Sequence, residues 1–116
     1  MLVIISSGEK EKAMAGLMFA RNAQKNKWLD DVKVVYFGPS ERLIVQDDDV
    51  MAQTLEIAAQ SQTFACKALS DRDNVSGTIE ELGVKVEYVG IIVSDLIKEA
   101  NRLQGQIFNL KKNFLN

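Results

Sequence analysis

The chain contains no histidine, a single cysteine and a single proline. Without histidine, the usual zinc ligand sets and the Ser-His-Asp and Cys-His catalytic arrangements are excluded. One cysteine, Cys66, closes no internal disulfide, which makes the cytoplasm the default compartment. Long apolar runs are missing too. Leu2-Val3-Ile4-Ile5 is far too short for a signal-peptide core or a membrane span, and no charged segment precedes it. Neither sign of charge dominates. The 14 basic and 16 acidic side chains leave a formal charge of -2, which argues against a nucleic-acid binder that works by general electrostatics. The residues support no metal site and no cofactor.

What is present fits one soluble domain over residues 1–116, with 47% hydrophobic and 26% charged residues. A chain of this length buries roughly 65% of its unfolded surface, enough for a core without staples. Leu2 to Ile5 is continuously apolar and β-branched, the habit of a strand covered on both faces. Ser6-Ser7-Gly8 ends it. Glu9 to Lys12 open a helix whose Ala13, Met14, Leu17, Met18 and Ala20 recur at spacings of three and four. Gly16 weakens that helix or allows close packing. Val32 to Phe37 reads as a second strand, stopped by Gly38-Pro39, with a short helix from Ser40 to about Gln46.

Asp47-Asp48-Asp49 is read as the acidic first turn of a helix running from about Val50 to Gln60. Three adjacent carboxylates cannot all face one ion on a helix. Thr63 to Cys66 is a third strand, and a helix begins near Ser76 and stops at Leu82-Gly83. Val84 to Val89 alternates and predicts a strand with a wetter face. A helix from Ser94 or Asp95 to Leu103 follows, then a last strand over Gln106 to Leu110 and a tail. Strands alternating with helices predict an α/β fold with a mostly parallel sheet and helices on both faces. Ligands in such folds sit beyond the carboxyl ends of the strands. The segments there are Ser6-Ser7-Gly8, Phe37-Gly38-Pro39, Cys66-Lys67-Ala68 and Val89-Gly90-Ile91.

Cys66 is the one candidate nucleophile. Cysteine is often no more than a small buried hydrophobe. Its place at a strand's carboxyl end, before a turn into a helix, would instead let helix amides stabilise a thiolate. Lys67 adds a positive charge, whereas Asp71 and Asp73 oppose it. Without a histidine base, protease or acyl-transfer chemistry is disfavoured. Sulfur chemistry is not, because a thiolate that attacks sulfane sulfur needs only access and thiolate character. With no second cysteine to resolve it, such sulfur would pass to another protein or a small thiol. Ser6-Ser7-Gly8 offers amides for an anion, but no Gly-Lys-Ser/Thr follows and the G-x-G-x-x-G fingerprint is missing. Trp28, Ile44, Met51 and Phe114 are apolar groups divided between core packing and subunit contacts.

Several segments, in this order and spacing, resemble the DsrE/DsrF-like proteins, whose relatives include the TusD-type subunits of sulfur relays. They are Leu2-Val3-Ile4-Ile5 with its Ser-Gly turn, the helix from Ala13 to Ala20, and Val32 through Gly38-Pro39-Ser40-Glu41-Arg42-Leu43. Phe64-Ala65-Cys66-Lys67 and Leu82 to Gly90 complete the set. The resemblance covers nearly the whole chain. It implies a three-layer α/β/α fold around a parallel five-stranded sheet, and homo-oligomers, commonly trimers or hexamers. In sulfur-handling members a cysteine after the third strand accepts and donates persulfide sulfur, and Cys66 falls at that position.

Two functions follow as expectations. In the first, the chain is a cytoplasmic sulfur-relay protein, a sulfurtransferase or sulfur carrier loading Cys66 from a donor protein and unloading it to an acceptor. Ser6, Ser7, Gly38, Lys67 and Gly90 then shape the mouth of the site and bind the anionic sulfur. In the second, it is a non-enzymatic oligomeric module that binds a small ligand or partner, with Cys66 buried and inert. Exposure of the sulfur discriminates between them. Nucleic acid and membrane are not expected partners.

Overall fold

The computed structural model describes residues 1–99 and 101–102. Four strands pair in the order of the chain, all parallel: β1 (Leu2–Ile5), β2 (Lys33–Tyr36), β3 (Thr63–Cys66) and β4 (Lys85–Glu87). Helix α1 (Lys10–Lys25) joins β1 to β2, and α2 (Ser40–Gln46) with α3 (Asp48–Gln60) joins β2 to β3. Helices α4 (Lys67–Arg72) and α5 (Ser76–Glu81) lead to β4. A further helix, α6, covers 89–99. The expected last strand, Gln106 to Leu110, lies outside the described residues.

The strand order explains where the core sits. Each strand lies beside its predecessor, so right-handed crossovers carry successive helices onto the same face. Side chains alternate along each strand. Ile5, Val34, Tyr36 and Ala65 point into that face, where they meet Ala13, Leu17, Ala20 and Ala23 of α1, Ile44 of α2, Val50 and Ile57 of α3, and Ile79 of α5. Val35, Phe64 and Cys66 point the other way and form a smaller cluster with Val89, Leu69, Ile92 and Val93. The expectation of helices on both faces therefore holds, with most of them on one side. No helix among the described residues is long and apolar enough to cross a membrane.

Local chemistry accounts for the close seating of α1 and for the start of α3. Gly16 faces β1 so closely that a Cβ there would lie 2.6 Å from Ile5 Cδ1, which favours the close-packing reading of that glycine. Asp47 caps α3, its side chain accepting from the amides of Asp49 and Val50 at 3.0 and 3.1 Å. Asp48 and Asp49 fill the first turn, so the acidic run does the capping its position suggests. Asp47→Ala is expected to lower stability by about 1 kcal/mol, the usual loss for a removed N-cap, measured as the shift in the urea midpoint.

Two boundaries differ from the sequence reading. Val84 to Val89 is not a six-residue strand, because only Lys85–Glu87 pair and the chain is helical from residue 89. A helix also follows Cys66 directly, where only a turn was expected.

Candidate functional site

The carboxyl ends of β1, β2 and β3 meet at one edge of the sheet. Backbone bonds weld the first two ends together. The Phe37 amide donates to Ile5 O at 3.0 Å, and the Ser40 amide donates to Ser6 O at 3.3 Å. The Ser40 hydroxyl, fully buried, donates to Ile5 O as well. Gly38 turns the chain between them with φ +100°, a region that side-chain-bearing residues rarely adopt.

The third end is fastened by a residue that the sequence reading treated only as part of a helix start. Glu41, in the first turn of α2, is fully buried. Its Oε1 accepts from the Cys66 amide at 2.9 Å, and its Oε2 accepts from the Ser70 hydroxyl at 2.8 Å. Burial pushes the Glu41 carboxyl above its ordinary value, with the charge of nearby Asp73 adding to the effect, while the Ser70 and Cys66 donors pull it down. Asp73 is itself paired, with Arg42 at 3.7 Å and with Arg72 at 3.3 Å. Cys66 and Glu41 lie 25 positions apart. Only the parallel register of β2 with β3 brings them together.

Cys66 ends β3 and has little exposure, 8%. Its side chain belongs to the smaller cluster, beside Val35, Phe64 and Val89. The amide reaches one face and the sulfur the other. Reactive thiols sit in partly exposed, electropositive settings. Here the near neighbours of the sulfur are apolar, and the adjacent amide is given to a carboxylate.

The remaining predicted site residues divide. Ser6 and Gly38 join the welded edge through their backbones. Ser7 instead uses its hydroxyl to accept from the Glu9 amide at 3.0 Å, turning the chain into α1. Lys67 spans to Asp71 at 2.9 Å, and this partner holds the ammonium above its ordinary value. Asp71 is held below the usual carboxylate range by the Ser76 hydroxyl and then by Lys67. Gly90 lies in α6 rather than at a strand end, and its carbonyl accepts from the Ser94 hydroxyl at 2.8 Å. Of the four apolar groups left open, Ile44 is fully buried, Met51 is half-buried and Trp28 is 61% exposed. Phe114 lies outside the described residues.

Several concave regions are formed among the described residues. The first, about 320 Å³, lies between Met1, Leu2 and Lys33 and the α6 residues Leu96 and Ile97. Another is formed by Asp71, Asn74, Ser76 and Gly77, and a third by Arg21, Lys25, Glu56 and Gln60. Cys66 lines none of these three.

No family model matches the chain. No curated protein matches it either. Among solved structures, the chain is similar to a conserved protein of unknown function from Bacteroides thetaiotaomicron, with a TM-score of 0.79 and 23% identity. The match covers 85% of this chain and 87% of that one. At that identity the likeness concerns the fold alone.

Proposed function

We propose that the chain is a DsrE/DsrF-like oligomeric binding module in which Cys66 is a packed apolar group rather than a sulfur carrier. One observation carries this reading: the Cys66 side chain is buried among Val35, Phe64 and Val89, on the sheet face covered by α6. A small ligand or partner would meet the welded strand ends around Ser6 and Gly38.

A second reading is favoured by the position of the same residue. Cys66 is the last residue of β3, at the edge where α/β folds place their ligands. A cytoplasmic sulfur-relay protein would use it as follows. The thiolate attacks a sulfane sulfur of a polysulfide, the old S–S bond breaks, and the shortened polysulfide leaves with the electron pair. Cys66 then holds a persulfide for an acceptor thiolate.

Intact mass separates the two. After incubation with polysulfide, folded wild type is expected to gain no sulfur, and iodoacetamide is expected to label Cys66 only once the protein is unfolded. Sulfur added to wild type but not to Cys66→Ala, and released by a reducing thiol, would reverse the choice in favour of the carrier.

One further feature supports the family reading. Met18 and Phe19 of α1 and Leu55 of α3 are each nearly half exposed, an apolar group of the kind that subunit contacts cover. A homo-oligomer, trimer or hexamer, is proposed on that basis. A five-stranded sheet, the count that the resemblance implies, is part of the same proposal; its expected last strand lies outside the described residues.

A further inference from the structure

Among the described residues, β4 has β3 on one side and no strand on the other. Such an edge leaves backbone amides and carbonyls outside the ladder, where a second chain can pair with them. Apolar surface gathers beside it. Ile91 at 72% and Tyr88 at 66% are the most exposed large apolar side chains among the described residues, and both closely follow the end of β4. Exposed apolar groups brought together in this way mark interaction surfaces. Val86 packs against the larger cluster, so Lys85 and Glu87 share the opposite face. The Lys85 ammonium lies there, 5.8 Å from the centre of the Phe64 ring. Both charged residues are exposed, and neither has an ion-pair partner among the described residues.

A charge at the centre of an edge strand keeps copies of a chain apart, because on a two-fold axis it meets itself. The order Lys85-Val86-Glu87 does the reverse. In an antiparallel pairing centred on Val86, Lys85 stands opposite the partner's Glu87, and Glu87 opposite the partner's Lys85. Opposite charges directly across an antiparallel pair stabilise it, and like charges destabilise it. A two-fold axis normal to the sheet produces this arrangement, using the same patch on both copies. We propose that β4 pairs with β4 of a second copy across a two-fold axis at Val86, with Lys85 and Glu87 exchanging ion pairs over the seam. The pairing joins two four-stranded sheets into one and sets Tyr88 opposite the partner's Val84, an aromatic beside a β-branched residue. It rests on the homo-oligomer proposed above and assigns it a surface. Combined with a three-fold contact elsewhere it yields a hexamer, and alone it yields a dimer.

Exchanging the charges tests it. Wild type, Lys85→Glu, Glu87→Lys and the variant carrying both substitutions are weighed by sedimentation equilibrium at low ionic strength, where exposed charges are least screened. Both positions are exposed, so every variant is expected to keep the circular dichroism of wild type. Wild type is expected to contain an even number of copies. Each single variant sets like charges opposite one another and is expected at half the wild-type mass. The double variant, with the signs exchanged, is expected to return to the full mass. A wild type of one or three copies overturns the pairing. So does an even assembly that either single variant leaves intact, or a double variant that stays at half mass. The same masses separate this pairing from the trimer. Six copies falling to three uphold both, two copies falling to one uphold the pairing alone, and three copies in wild type uphold the trimer alone.

Discussion

Leu17→Ala is expected to remove about 2–5 kcal/mol of folding stability, the range for truncating a fully buried leucine. Leu17 has no exposed surface and sits on the inner face of α1 in the larger cluster. That cluster is drawn from elements of different origin, among them Ile5 on β1, Val34 on β2, Ile44 on α2 and Ile57 on α3. None can collapse into the space without dragging its own strand or helix, so much of the cavity persists. Total stabilities of small domains run at about 5–15 kcal/mol, so the variant stays folded at room temperature but with a much lower urea midpoint. Its denaturant slope should not change, because the surface exposed on unfolding is nearly the same. Met18→Ala, one residue on, supplies the control. Met18 is 44% exposed, and its loss is expected to stay within about 0.5 kcal/mol. Equal midpoints for the two variants would mean that α1 presents a different face to the sheet.

That contrast was not legible in the sequence, where Leu17 and Met18 fall on the same apolar stripe of α1, but the first three strands were. Runs such as Leu2 to Ile5 and Val34 to Phe37 are apolar at consecutive positions, a pattern that reads as a strand covered on both faces. Strands β2 and β3 fit it, whereas Ile4 of β1 is 48% exposed among the described residues. The region after Gly83 was harder for a physical reason. Strand β4 is short, with Lys85 and Glu87 exposed and one strand neighbour among the described residues. Alternation through Val89 looks the same whether the chain continues as a strand or turns. Val89, Ile92, Val93 and Leu96 in fact make a helical stripe at spacings of three, one and three, and three of them enter the second cluster. Gly90 and the β-branched Ile91-Ile92-Val93 masked it, since each is a weak helix former. Helix α4 was missed because it has six residues and follows β3 without a loop. Of the site, the sequence located the edge and Cys66 but not its anchor. A glutamate after Gly-Pro-Ser reads as an ordinary first-turn acid. Its partners at Cys66 and Ser70 become visible only once β2 and β3 are paired.

Raising the pH is expected to weaken wild type relative to Glu41→Gln. Burial lifts the folded-state value of Glu41 above its unfolded one, so the native state holds this proton more firmly than the unfolded chain does. The associated stability is fully present below the ordinary carboxylate range and is lost as pH climbs through the elevated folded value. Asp73 strengthens the trend, since its charge further opposes ionisation of Glu41, while Arg42 and Arg72 are both engaged with Asp73. Exposed carboxylates act with the opposite sign. Asp47, held low by the Val50 amide and by Lys10, and Asp71, held low by Ser76 and Lys67, favour the folded state above their unfolded values and lose that contribution as pH falls. Those groups are common to both proteins and cancel in the comparison. Glutamine carries no titrating proton, so the gap between the two stabilities isolates residue 41. Urea unfolding of both proteins at intervals from roughly pH 4 to pH 8, spanning the ordinary glutamate value and the region above it, should show wild type losing ground to Glu41→Gln as pH rises. A gap that stays constant over that span would mean that Glu41 has the same proton affinity folded and unfolded, and that its burial is relieved by water in solution. A gap that moves the other way would mean that the donors from Cys66 and Ser70 outweigh desolvation and hold the carboxylate ionised.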